Sequence, residues 1–279
     1  MNENKTNINW YPGHMAKTKR ELKELSNLID ICYEVIDSRC PISSRLKDMD
    51  EVIGNKPRIL IATKYDLCDK KITDEILSSF KEPVIKINLQ EDNTSKIIEK
   101  TKELMNEENE KRQAKGMEKR RARVMVVGVP NVGKSSLINR LVNKKVVNVG
   151  NKPGVTKQLN WIRISDDVEL LDSPGVLWPK FEDQNQALIL ASLSSIKEEI
   201  LDKEVICEFI IKKLFELYPN KLEERYGITS IDDMVEVYDT IGKKRGCLIS
   251  GGEIDYDRVV DVVIRDFNNN SFGNITLDR

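Results

Sequence analysis

The chain lacks a charge surplus, a cysteine pattern and a long apolar run. Its 45 basic and 46 acidic residues nearly cancel, giving a net charge of -1, so overall basicity does not point to nucleic acid. Any such binding must come from local patches. The five cysteines (Cys32, Cys40, Cys68, Cys207, Cys247) are scattered and contain no C-x-x-C pair. That spacing argues against a disulfide framework or a zinc site and fits a reducing compartment. No apolar stretch reaches spanning length, and the polar start Met1-Asn2-Glu3-Asn4-Lys5 is unlike a signal peptide. A cytoplasmic location without membrane attachment is therefore expected. Histidine occurs once, at position 14, and no internal repeat is visible.

What is present centres on Gly128-Val129-Pro130-Asn131-Val132-Gly133-Lys134-Ser135. It fits G-x-x-x-x-G-K-[ST], a loop whose backbone N–H groups wrap nucleotide phosphates. Arg123 to Val127 before it is β-branched and apolar, suited to a buried strand, and Ser136 to Leu141 after it begins a helical pattern. Strand, glycine loop and helix put phosphate at a helix N-terminus, with the amides of Val132 and Gly133 in the cradle and Ser136 beside it.

Around this loop the chain alternates strands and helices. Strands are expected at Ile29 to Ile36, Arg58 to Ala62, Pro83 to Ile87, Leu159 to Ile164 and Val168 to Leu171. Helices are expected at Ala16 to Leu28, Ile72 to Phe80 and Thr94 to about Met117. The pattern indicates an α/β fold, a parallel-rich sheet covered on both faces by helices. After Asn185 only helical patterns remain, at Ala187 to Ile196, Lys203 to Leu217, Ile231 to Ile241 and Tyr256 to Phe267. The expected division is residues 1–20 as an N-terminal aromatic and histidine motif, 21–182 as the nucleotide domain, and 183–279 as an all-α domain. Lys111 to Arg123 holds seven basic residues and one acid, Glu118. It reads either as a solvated helix and linker or as a surface for RNA phosphates.

Thr63-Lys64-Tyr65-Asp66 selects the base. A carboxylate after a strand can accept both the N1–H and the 2-amino group of guanine, and adenine offers no equivalent donors. The stem of Lys64 can pack along the base. With Asp172-Ser173-Pro174-Gly175 as a D-x-x-G element, the implied ligand is GTP. Lys134 is expected on the β- and γ-phosphates, with Ser135, Thr156 and Asp172 around Mg²⁺ and the Gly175 amide on the γ-phosphate. Loss of that phosphate would free both loops.

The order is unusual, because Thr63 to Asp66 precedes the phosphate loop. A circularly permuted sheet accommodates it, with Lys111 to Arg123 bridging the usual termini. In this respect the chain resembles the circularly permuted ribosome-assembly GTPases. The resemblance rests on Trp10-Tyr11-Pro12-Gly13-His14-Met15, Asp37-Ser38-Arg39-Cys40-Pro41, Gly128 to Ser136, Pro153 to Thr156 and Asp172 to Gly175. Lys244-Arg245-Gly246-Cys247-Leu248 and Gly251-Gly252 extend it to nearly the whole chain. It implies a GTPase acting late in assembly of the large ribosomal subunit, with an RNA-binding C-terminal helical domain. Thr63 stands where that family usually has asparagine. Ile87-Asn88-Leu89 replaces its second base loop, which puts Asn88 at the base.

Val176 occupies the position after D-x-x-G where many GTPases carry a water-orienting glutamine. His14, to which the resemblance gives a catalytic role, could orient the water instead; otherwise it is structural or faces RNA. Asn131 resembles the phosphate-loop asparagine that ligates K⁺ in similar GTPases, and its alternative is an ordinary loop residue. The expected function is a monomeric, ribosome-stimulated GTPase that binds a large-subunit precursor and its rRNA in the GTP state and leaves on hydrolysis. The competing readings are a GTP-regulated RNA-binding scaffold with incidental turnover, and a GTPase with some other client.

Overall fold

The computed structural model describes residues 20, 22–46, 49–142, 161–171, 184–195 and 202–279. The described residues form two compact units. One lies within Trp10–Asp66 and Thr73–Lys180, the other within Leu67–Ile72 and Phe181–Arg279.

The first unit is built on a six-stranded sheet. Its strands are β1 (Ile31–Asp37), β2 (Arg58–Thr63), β3 (Val84–Lys86), β4 (Ala122–Val127), β5 (Trp161–Arg163) and β6 (Val168–Leu171). Their spatial order is β3-β2-β1-β4-β6-β5. All pairings are parallel except β5 with β6. Every residue of β1 is buried, as expected for a parallel strand covered on both faces. The chain runs outward from β1 through β2 to β3, then returns to place β4 on the other side of β1. This reversal makes the carboxyl ends of β1 and β4 a topological switch point, where open α/β sheets leave a crevice.

The described residues before β5 hold a helical stretch at residues 20 and 22–26 and the helices α1 (Met49–Ile53), α2 (Lys70–Ser78), α3 (Ser95–Ala114) and α4 (Lys134–Val142). Part of the core beside β2 is Ile36, Leu60, Ala62 and Leu77, with Phe80 and Val84 packed against them. Buried Glu34 is fully served: it accepts from the Leu46 amide at 2.7 Å and pairs with Arg45 and Arg58, each at 3.3 Å. Two residues of the basic run are likewise engaged. Arg120 forks onto Asp30, and Arg123 pairs with Glu169 at 2.8 Å. The run thus fastens the link between α3 and β4, which is the join that permutation requires.

The second unit contains α5 (Gln184–Ser192), α6 (Lys203–Leu217), α7 (Pro219–Tyr226), α8 (Met234–Arg245) and α9 (Tyr256–Asn268). Helix α6 packs on α5, α7 and α9, and α9 also packs on α5 and α8. Asp202, Asp233 and Asp255 start α6, α8 and α9 by accepting first-turn amide bonds; such caps contribute about 1 kcal/mol each. Asp266 of α9 is nearly buried and satisfied by Arg225, Tyr226 and Arg245. Leu67–Ile72 joins this unit through the C-terminal tail. The Ile275 amide donates to the Leu67 carbonyl at 3.2 Å, and the Asp69 amide donates to Thr276 Oγ1 at 3.1 Å. No helix among the described residues is long and apolar enough to cross a membrane.

The α/β expectation agrees with this sheet, and the all-helical pattern after Asn185 agrees with the second unit. Boundaries shift by a few residues: the long helix spans Ser95–Ala114, and the strand expected at Pro83 to Ile87 is only Val84–Lys86. Helices α1 and α7 were not expected. The turn carrying His14, Pro153 to Thr156 and Asp172 to Val176 lie outside the described residues, as do residues 16–19 and 21 of the helix expected at Ala16 to Leu28; Arg20 and residues 22–26 are helical as expected.

Candidate nucleotide site

Strand β4 delivers the chain into the loop Gly128 to Gly133, and α4 starts at Lys134. The loop's path demands glycine at its entry. Gly128 has φ +153°, and a β-carbon there would meet the Val35 carbonyl oxygen at 2.4 Å. At the exit Gly133 has φ +97°, and an added β-carbon would lie 3.3 Å from Leu89 Cδ1. Asn131 between them takes the left-handed conformation with φ 57°. The Leu137 amide donates to the Gly133 carbonyl at 2.8 Å, closing the first turn of α4. Ser135 and Ser136 lie in that turn, partly buried.

Lys134 folds back over the loop. Its ammonium donates to the Gly128 carbonyl at 2.8 Å and to the Val129 carbonyl at 2.6 Å. Burial pushes its pKa down to about 7. A cation desolvated beside backbone amides and a helix N-terminus suits a polyanion, whose charge would restore the ammonium.

The Thr63–Asp66 loop, expected to read the base, stands beside this cradle. Thr63 ends β2 in register with Asp37 of β1. Its hydroxyl oxygen is 2.5 Å from the Val132 carbonyl oxygen and 3.1 Å from that of Ile36. One hydroxyl proton can serve only one of them, and the nearer oxygen belongs to the phosphate loop. Lys64, at φ 56°, donates to the Asn131 carbonyl at 2.7 Å and to Asp37 Oδ2 at 2.8 Å. Asp66 is exposed, as a carboxylate that reads a ligand must be. Asn88 is partly buried, and its Oδ1 accepts the Gln90 amide at 3.0 Å while its own amide donates to Asp92 Oδ2 at 2.7 Å. That side-chain oxygen therefore shapes its own turn. Neighbouring Leu89 reaches toward Gly133.

Thr63, Lys64, Asp66, Asn88, Asn131, Val132, Gly133, Lys134, Ser135 and Ser136 thus lie at or beyond the carboxyl ends of β2, β3 and β4. His14, Thr156, Asp172 and Gly175 lie outside the described residues. Motif reading missed the support beneath Lys64. Arg39 donates to Asp37 from Nε at 3.0 Å and from Nη2 at 2.8 Å, and both side chains are almost wholly buried. The signal available was the Asp37-Ser38-Arg39 motif itself, to which no role was attached.

Comparisons with known proteins agree with this geometry. The profile of MMR_HSR1, described as 50S ribosome-binding GTPase, matches residues 123–214. Ribosome biogenesis GTPase A of Priestia megaterium is 44% identical over 277 residues, covering 97% of this chain and 96% of that protein. The protein of the same name from Bacillus licheniformis is 42% identical, covering 98% of both. The chain belongs to the ribosome biogenesis GTPase A family.

The crystal structure of GNP-bound YlqF from T. maritima superposes with a TM-score of 0.69 at 25% identity, covering 94% of this chain and 98% of that one. The family's fold is a circularly permuted P-loop GTPase followed by helices, and the strand order β3-β2-β1-β4-β6-β5 is this chain's version of it. Membership also accounts for the base loop preceding the phosphate loop.

Proposed function

We propose that this chain is a GTP-hydrolysing assembly factor that binds a late precursor of the large ribosomal subunit in its GTP state and leaves on hydrolysis. The observation that carries the reading is the joining of base loop and phosphate loop: Lys64 and Thr63 both bond carbonyl oxygens of the Gly128–Gly133 loop. A guanine read by Asp66 and phosphates cradled before α4 would therefore be registered against one rigid frame.

In this reading Thr63 and Lys64 hold the base loop, and Asn88 flanks the base on its other side. Val132 and Gly133 amides face the phosphates. Lys134 neutralises the β- and γ-phosphates, and Ser136 adds a hydroxyl at the helix start. Mg²⁺, held by Ser135 with Thr156 and Asp172, would supply charge neutralisation on the phosphate oxygens when bound. The depressed Lys134 pKa and the amide-lined turn fit a phosphate–metal pair. Asn131 would ligate K⁺, the Gly175 amide would sense the γ-phosphate, and His14 would orient the water. We assign residues 1–20 to the histidine motif, 21–182 to the GTPase domain and 183–279 to an RNA-binding helical domain, in a monomer working in the cytoplasm.

Co-sedimentation with immature large subunits tests this proposal. Retention with a non-hydrolysable GTP analogue and release with GDP is the expected result. Equal retention with both nucleotides would favour the scaffold reading. Retention with neither would point to another client.

A further inference from the structure

Asp37 and Arg39 form a buried pair with no part in phosphate or metal binding. The Asp37 carboxylate accepts two bonds from the Arg39 guanidinium and one from the Arg39 amide at 3.0 Å. Its second oxygen also accepts Lys64 Nζ, the same ammonium that holds the Asn131 carbonyl. The backbone is fixed as well: the Asp37 amide donates to Ser44 Oγ at 2.9 Å, and the Ser38 amide donates to the Thr63 carbonyl at 3.0 Å.

We propose that Asp37 and Arg39 are positioning residues for guanine recognition, fixing the ammonium of Lys64 against the phosphate loop. The inference rests on the assignment of Thr63 to Asp66 as the base loop.

Three arguments support it. A buried ion pair is weak stabilisation, because desolvation offsets most of the attraction and apolar side chains could fill the space. What the pair does deliver is direction: a planar guanidinium locks the carboxylate, leaving one lone-pair direction for Lys64. Lys64 then bridges β1 to the Asn131 carbonyl, so the shape of the phosphate loop depends on where Asp37 stands.

Charge makes the third argument. Two cations and one anion leave the cluster one positive charge in excess. Burial alone would raise the Asp37 carboxyl, but Arg39 and Lys64 outweigh it and hold the group well below the usual carboxylate range. The Asp66 carboxylate in turn helps to hold the charge on Arg39.

The test uses the full-length chain with Arg39→Lys, Asp37→Asn and Lys64→Met, alone and combined. Affinities for GTP, GDP and ITP are measured alongside turnover. ITP lacks the 2-amino group, so the GTP-over-ITP ratio reports how well Asp66 is aimed. Arg39→Lys keeps the charge but loses the fork; it is expected to lower that ratio about threefold, with the loss in KM rather than kcat. Asp37→Asn is expected to weaken GTP and GDP alike by about tenfold, and to add nothing once Lys64→Met is present.

An unchanged GTP-over-ITP ratio in folded Arg39→Lys, or additive effects of Asp37→Asn and Lys64→Met, would overturn the proposal. If Asp37→Asn does not fold, the Arg39→Lys ratio decides alone. Asp66→Asn serves as the control. Should it retain full guanine preference, the base-loop assignment has failed; should it lose that preference while Arg39→Lys is silent, only the positioning role has failed.

Discussion

The Thr63 hydroxyl lies 2.5 Å from the Val132 carbonyl oxygen, tying the end of β2 to the phosphate loop across β1. The family's usual asparagine would offer two N–H donors here; threonine offers one, and the loop takes it. We expect guanine reading to rest on Asp66, with Lys64 beside it. Thr63→Val removes the donor while keeping the shape. We expect a stability loss of about 1 kcal/mol and a several-fold weaker affinity for GDP. Chemical denaturation and calorimetry check both, and a variant unchanged in each would show that the tie is incidental.

Lys134 gives the site a pH signature. Its pKa is lowered to about 7 by burial, whereas bound phosphates would hold it charged. Nucleotide binding above pH 7 must then take up a proton, and affinity should fall as pH rises from 7 toward 9. At pH 8 the γ-phosphate is already ionised, so uptake of close to one proton per nucleotide is assigned to this lysine. Calorimetry in two buffers of different ionisation enthalpy reads it directly. Zero uptake would contradict the desolvated lysine, and Lys134→Ala should abolish measurable binding.

Gly128→Ala tests the entry to the loop. The new methyl would sit 2.4 Å from the Val35 carbonyl oxygen, a contact with rigid β1 backbone. We expect a loss of about 2–4 kcal/mol in stability and no detectable GTP binding. A variant that melts and binds normally would mean the loop takes another path.

Asp66→Asn replaces an acceptor by an amide. GTP should weaken by about 100-fold or more while xanthosine triphosphate, whose base offers the complementary acceptor, tightens. Competition binding measures the ratio. Undiminished guanine preference would remove Asp66 from base reading.

Legibility in the sequence followed locality. The glycine loop, β4 and α4 are contiguous, so motif and hydrophobic pattern sufficed for them. Strand β1, buried along its whole length, was readable as an unbroken apolar run interrupted only by Glu34, whose partners Arg45 and Arg58 come later in the chain. Helix α1 is too short for periodicity to register, and α7 is an eight-residue helix opened by Pro219, a residue that punctuates more often than it starts a helix. The Asp37–Arg39–Lys64 cluster was illegible for a different reason. Asp37 ends β1, Arg39 follows it and Lys64 follows β2; they meet only because β1 and β2 pair in register, and nothing local to either strand end announces the meeting. Asn88 was assigned through the resemblance alone, and the bond its side-chain oxygen accepts from the Gln90 amide lay within its own turn, where no motif marked it.

Turnover is the readout of a GTPase cycle coupled to the large ribosomal subunit. GTP hydrolysis should be followed in K⁺ buffer with and without purified large subunits, using Na⁺ as the cation control. Slow intrinsic turnover and a large stimulation by the subunit are expected. Turnover indifferent to the subunit would contradict that coupling.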